Sequence, residues 1–134
     1  MSYIPKYIMK RMFPKDAVKK INGGLEITMI NVISPLSVDE VPDDVENYIE
    51  ASIDGKPVDK EALKENLKIT VDEDKSFTYK NAKEFAGYVI PVGGKIKIFV
   101  PVEDIEPGKE HEFEIIIKTD NPFQLSFTRK VMQE

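Results

Sequence analysis

Near its C-terminal end the chain alternates apolar and polar residues with a period of two. His111, Phe113, Ile115 and Ile117 alternate with Glu112, Glu114 and Lys118. Phe123, Leu125 and Phe127 alternate with Gln124, Ser126 and Thr128, and Ile96, Ile98 and Val100 with Lys95, Lys97 and Phe99. Successive side chains of a strand point to opposite faces, so each stretch predicts a strand with one buried and one wet face. Between them, Glu106-Pro107-Gly108-Lys109 places Pro and Gly at the centre of a type II turn, and Thr119–Pro122 predicts another turn. The expected core residues are Ile96, Ile98, Val100, Phe113, Ile115, Ile117, Leu125 and Phe127.

The first half is less regular. After the turn signal Asn22-Gly23-Gly24, Leu25, Ile27 and Met29 alternate with Glu26 and Thr28. The phase then slips, with Ile30 and Val32 on the other parity, which predicts a bulge or a strand buried on both faces. Ile49, Ala51 and Ile53 lead into the tight-turn pair Asp54-Gly55. Residues 59–66 predict a short helix with Asp59 as its N-cap. Leu67, Ile69 and Val71 predict the next strand, Phe77 and Tyr79 a short returning one, and Asn81–Ala86 a single helical turn before Gly87. Tyr88–Val92 is extended, and Pro91 suits an edge.

Short strands separated by turns every 8–12 residues predict an all-β fold. The expectation is an antiparallel β-sandwich, immunoglobulin-like or jelly-roll-like, with one or two short helices. Ile (16) and Val (12) far outnumber Leu (5), and branching at Cβ suits a pleated surface. At 134 residues the chain reads as one sandwich domain over 21–134, preceded by an arm over 1–20. The absence of Cys excludes disulfides, thiol nucleophiles and thiolate metal sites, and suits a reducing cytoplasm. Abundant Lys, Glu and Ile without Cys fits a heat-loving source. The N-terminus lacks the apolar stretch of a secretory signal, and no apolar run approaches the roughly 20 residues that span a bilayer. No membrane association is expected.

Charge changes the picture of the arm. Residues 1–20 carry a balance of +5, which leaves -10 on the rest of a chain whose net charge is -5. An acidic domain is a poor partner for nucleic acid, because affinity there rests on neutralising phosphates. The arm, with Pro5 and Pro14 bracketing it, is either a short helix or an extended segment, with Ile4, Tyr7, Ile8 and Met12 on one helical stripe. Its large apolar residues must dock on its own sheet or on a neighbouring chain. A protein partner or a homo-oligomer is therefore expected, with Tyr3, Ile4, Tyr7, Ile8, Arg11, Met12 and Phe13 as the partner-binding residues.

Candidate chemistry is sparse. His111 is the single histidine, so a two-histidine metal site is excluded. It could serve as a general base or a single-histidine metal ligand, but a turn before it and its strand parity account for it as a corner residue bonded to backbone. Six acids between Asp39 and Glu50, with no base among them, lack the spacing of a calcium loop and read as a solvated segment. Asp72–Asp74 reads as a polar hairpin tip. No phosphate-binding glycine motif occurs, and no serine lies in a nucleophile-elbow frame. No catalytic residue, cofactor or metal is expected. Should there be a ligand site at a sandwich end, Tyr79, Tyr88, His111 and Arg129 are its candidates. Arg129 lies in phase with Phe127, so it either points inward and is paired or packs its stem with the head in water.

The stretch Ile105-Glu-Pro-Gly-Lys-Glu-His-Glu-Phe-Glu-Ile115 resembles a corner common in immunoglobulin-like and fibronectin type III-like sandwiches, with His111 where those domains usually carry a Tyr. The Ile53–Val58 hairpin, the Ile105–His111 turn and the late Arg129 together resemble the small β-subunits of C-glycoside deglycosidases. That resemblance implies a non-catalytic sandwich that assembles with a larger metal-dependent enzyme subunit, and it carries over no catalytic residue. The function expected is an accessory or assembly subunit; the alternative is a small carbohydrate- or ligand-binding domain or enzyme with a site near His111.

Overall fold

The structure, a computed structural model, describes residues 2–3, 5–33, 35–37, 49–71, 75–78, 80–102, 104–118 and 123–133. Thirteen strands are assigned among them, most of them in two antiparallel-rich sheets. The chain is an all-β, sandwich-like protein with two short helices.

One sheet has the order β1 (Ser2–Tyr3), β12 (Phe123–Lys130), β11 (Glu110–Ile117), β5 (Ile49–Ile53), β6 (Lys56–Pro57). The other runs β13 (Met132–Gln133), β2 (Val18–Ile21), β3 (Gly24–Ile30), β10 (Lys95–Val100), β7 (Lys68–Val71), β8 (Lys75–Phe77). A separate ribbon pairs β4 (Leu36–Ser37) with β9 (Val89–Ile90). Neighbours are antiparallel except at two places: β1 lies parallel to β12, and β13 parallel to β2. The N-terminal and C-terminal segments thus cross from the first sheet to the second side by side.

The alternation puts the expected residues inside. Phe113, Ile115, Leu125, Phe127, Ile96 and Val100 are buried, Ile98 is half-buried, and the side chain of Ile117 lies outside the described ones. Leu25 and Ile27 join them from β3. A smaller cluster forms around Val71, Ile90 and Ile96, with Phe77, Phe85 and Tyr88 packed on it. Asp59 caps α2 (Lys60–Asn66), its carboxylate accepting from the Ala62 amide at 3.2 Å, and Leu63 on that helix reaches the main core. Ala82–Phe85 is a single 3-10 turn.

One expectation needs correction. β3 holds no bulge: it pairs with β10 without interruption from Leu25 opposite Val100 to Ile30 opposite Lys95. The inward parity of Leu25, Ile27 and Met29 continues to Asn31, a buried amide, so a polar residue in an inward position imitates a change of phase. Segment 1–20 supplies β1, the helix α1 (Lys6–Met12) and most of β2, and Met9, Met12, Phe13, Ala17 and Val18 belong to the main core. Met9 and Met12 of α1 enter the core, Ile8 is half-buried against it, and Tyr7 stays exposed, so only part of the expected stripe is covered.

Phe13 stacks on Phe127 with ring centroids 3.8 Å apart, and Phe127 on Phe113 at 5.4 Å. Such pairs add about 0.5–1.5 kcal/mol beyond the area they bury. Arg129 fastens the same junction. Its Nε and Nη2 donate to the Phe13 carbonyl at 2.9 and 2.6 Å, and its Nη1 donates to the Thr128 carbonyl at 2.6 Å. The guanidinium fork thus satisfies carbonyl groups left open where α1 ends.

Candidate functional site

His111 and Arg129 stand directly opposite each other across β11 and β12, yet their polar atoms go separate ways. His111 Nδ1 donates to Asp54 Oδ2 at 2.6 Å, and Nε2 faces the Glu106 carbonyl at 3.3 Å. Asp54 sits in the β5–β6 turn with φ +54°, followed by Gly55 at +81°, the left-handed pair a two-residue hairpin needs. Its other oxygen, Oδ1, accepts from the Glu112 amide at 2.9 Å, and its own amide donates to the Glu112 carbonyl at 2.8 Å. The His111 hydrogen bond first, and the Glu112 amide second, hold the Asp54 carboxyl below the usual aspartate range; desolvation opposes them and is outweighed.

An aspartate orienting an imidazole is the arrangement that prepares a general base. Here the second nitrogen turns to a backbone carbonyl, so the pair ties two turns together. Gly108 in the neighbouring turn has φ +88°, as a type II turn requires, and its amide donates to the Val131 carbonyl at 2.7 Å. His111 therefore stands at a corner shared by the β5–β6 turn, the 106–109 turn and the crossing from β12 to β13.

Beside this corner lies a cleft of about 440 Å³, with Pro57, Pro101, Val102, Ile105, Lys56 and Asp104 among its lining residues. His111 lines it; Tyr88 and Arg129 do not. Tyr88 packs instead in the smaller cluster, 5.9 Å from the Phe85 ring and 6.4 Å from Phe77, with Lys75 Nζ 5.2 Å from its own ring centroid. The proposed ligand set is thus not gathered in one place, and Tyr79 lies outside the described residues. The Arg129 head lies against backbone carbonyls, half-buried, the paired one of its two expected placements; burial lowers its pKa from the ordinary arginine value.

The partner-binding set also divides. Met12 and Phe13 are buried in the chain's own core and Ile8 is half-buried against it. Tyr7 is 69% exposed, and Lys6, Lys10 and Arg11 on the same helix are exposed with it. Tyr3 lies in β1, while Ile4 lies outside the described residues. The acids 39–46 and Asp72–Asp74 lie outside them too. Glu50 is described, its pKa lowered chiefly by its hydrogen bond from Lys118.

Sequence reasoning missed a third feature. Ile33, Val89 and Val92 are 55%, 52% and 55% exposed and stand around one buried amide. Asn31 Nδ2 donates to the Ile90 carbonyl at 3.1 Å and the Pro91 carbonyl at 3.3 Å, and its Oδ1 accepts from the Ile33 amide. Gly93 and Asn31 complete the clasp through backbone. The Pro91–Gly94 turn was the available signal, since a residue between Pro and Gly-Gly is placed at a loop tip.

Among the described residues, no cluster of three or more acidic or histidine side chains could hold a metal ion, and no helix is long and apolar enough to cross a membrane. No protein-family model matches the sequence, and no curated protein is significantly similar to it.

Proposed function

We propose that this chain is a non-catalytic accessory or assembly subunit that binds a partner protein through the solvent face of α1. The observation that carries the reading is Tyr7, more exposed than any other large apolar side chain described, set among Lys6, Lys10 and Arg11. Its helix is already anchored by Met9, Met12 and Phe13, so docking has no backbone to order there and the entropy cost is confined to side chains. Tyr and Arg are enriched among residues that dominate interfaces. A +5 segment on an acidic chain favours an acidic partner surface. The resemblance to small subunits of C-glycoside deglycosidases makes a larger carbohydrate-active enzyme the first partner to try, and the lack of Cys suits a reducing cytoplasm.

Size-exclusion chromatography of native extract tests this. The full chain is expected to elute in a stoichiometric complex with one larger protein, weakened by salt and absent for the double variant Tyr7→Ser/Arg11→Glu. That variant should melt with the wild type, since both positions are exposed. A free monomer in native extract, or a complex indifferent to the double variant, refutes the reading. Self-assembly through the same face would show as a concentration-dependent dimer in sedimentation.

The cleft beside His111 favours a second reading, a small ligand-binding domain, because its volume lies in the range of ligand pockets. Titration with short oligosaccharides, followed by amide shifts at Lys56, Asp104 and Ile105, decides it: unmoved signals at millimolar sugar end this reading.

A further inference from the structure

Of the six asparagines in the chain, Asn22 alone precedes a glycine. Asn22 and Gly23 are the whole of the turn between β2 and β3, since Ile21 stands opposite Gly24, and both are exposed. Among the described residues the Asn22 side chain makes no hydrogen bond. The other described asparagines differ on both counts. Asn31 is buried, donates to the Ile90 and Pro91 carbonyls and is followed by Val32. Asn66 donates to the Ala62 carbonyl and is followed by Leu67, and Asn81 accepts from the Thr78 amide and is followed by Ala82. Asp54 also precedes a glycine, but both of its carboxylate oxygens are held, one by His111 and one by the Glu112 amide.

We propose that Asn22 is a self-modification site, at which the side-chain amide is lost as ammonia and the turn is rebuilt around an isoaspartyl or aspartyl residue. The Gly23 backbone nitrogen gives its proton to solvent and bonds to the Asn22 Cγ. The Cγ–Nδ2 bond breaks, and Nδ2 takes up a solvent proton and leaves as ammonia. The cyclic succinimide so formed takes up one water at either carbonyl, which yields isoaspartate or aspartate without oxidant or reductant. A Cβ on the following residue hinders the nitrogen from reaching Cγ, and glycine has none. Isoaspartate routes the main chain through its own Cβ, which adds one backbone atom to a turn of two residues. Gly24 is packed so closely that a Cβ there would collide with the Val100 carbonyl, which leaves the turn little room to shift toward β10. The added length therefore falls on β2, where Lys20 Nζ donates to the Ile105 carbonyl at 2.9 Å and Lys19 pairs with Met132. The inference goes beyond the α1 reading and uses none of its residues.

The test is incubation of the full chain in neutral buffer made with heavy-oxygen water, followed by peptide mapping in a mass spectrometer. Label is expected at Asn22 about tenfold faster than at Asn31, Asn66 or Asn81, a barrier difference of about 1.4 kcal/mol. The rate should rise with pH, because the attacking nitrogen must lose its proton. Asn22→Ser, a change at an exposed turn position, should melt with the wild type and take up no label there. The isoaspartyl fraction is read by methyl transfer from S-adenosylmethionine with a protein isoaspartyl methyltransferase. Hydrogen exchange then separates linkage from charge. The purified isoaspartyl chain should lose protection at Lys19, Lys20 and Ile21, whereas Asn22→Asp, with the same charge and an ordinary linkage, should keep it. Label that reaches Asn22 no faster than Asn66 overturns the proposal, as does a labelled chain that accepts no methyl group. Equal loss of protection in Asn22→Asp would overturn the argument from chain length.

Discussion

His111 Nδ1 lies 2.6 Å from Asp54 Oδ2, although 57 residues separate the two in sequence. The contact joins the β5–β6 turn to the start of β11. Replacing His111 by Ala removes the largest influence holding the Asp54 carboxyl low. The Asp54 pKa should then rise toward its ordinary value, followed by NMR of its carboxyl carbon. The Asp54 side chain is 47% exposed, so solvent screening limits the stability loss to about 1 kcal/mol. An unmoved Asp54 titration would show that the contact does not form in solution.

The same pair sets an acid limit. The folded-state pKa of Asp54 is depressed, so its stabilisation is complete above the ordinary value of 3.8 and disappears as pH falls through the lower folded value. Glu50 and Glu106, also depressed by their lysine partners, act in the same direction. Urea midpoints should decrease as pH falls from 5 toward 2, and Asp54→Asn should flatten that decrease. A midpoint that rises on acidification would contradict the assignment.

Arg129 is expected to hold the arm. Arg129→Ala removes the donors to the Phe13 carbonyl and should cost roughly 1–3 kcal/mol. Arg129→Lys should restore little, because an ammonium lacks the planar fork that reaches both Phe13 and Thr128. Hydrogen exchange at Met9, Met12 and Phe13 reads the effect directly. Protection unchanged in Arg129→Ala would remove the clamp from the account.

Gly24 is required for close approach. A Cβ there would collide with the Val100 carbonyl oxygen and press on the Phe99 ring. Gly24→Ala should therefore destabilise by about 1–3 kcal/mol or more. Gly55→Ala meets no neighbour and pays only for its positive φ, about 1 kcal/mol. Thermal melting of the two variants ranks them, and equal melting would mean that β3 and β10 part more easily than their pairing implies.

Much of the sandwich was legible because period-two burial is local: Phe113, Ile115, Leu125 and Phe127 reveal their face within a few residues. The corner at His111 was legible from the Pro107-Gly108 turn, but its partner Asp54 was not, since nothing local links positions 57 apart. The phase slip at Ile30 and Val32 was expected because hydrophobicity cannot show that the Asn31 amide between them has two carbonyls waiting for it. Where the arm docks was not legible for a related reason. Its apolar residues require a seat on its own sheet or on a neighbouring chain, and the Phe127 ring and Arg129 fork that hold it lie far along the chain. The exposed tip stayed hidden because Ile33, Val89 and Val92 have the composition of buried strand residues.

The parallel placement of β1 on β12 and of β13 on β2 bears on how the molecule is made. Arg129 and Phe13 are 116 positions apart, so helix α1 finds its seat only after β12 has left the ribosome. Loop closure over that span is entropically slow. Until β12 emerges, Met9, Met12 and Phe13 lack the part of their seat that Phe127 and Arg129 provide, which makes them a target for chaperones on the nascent chain.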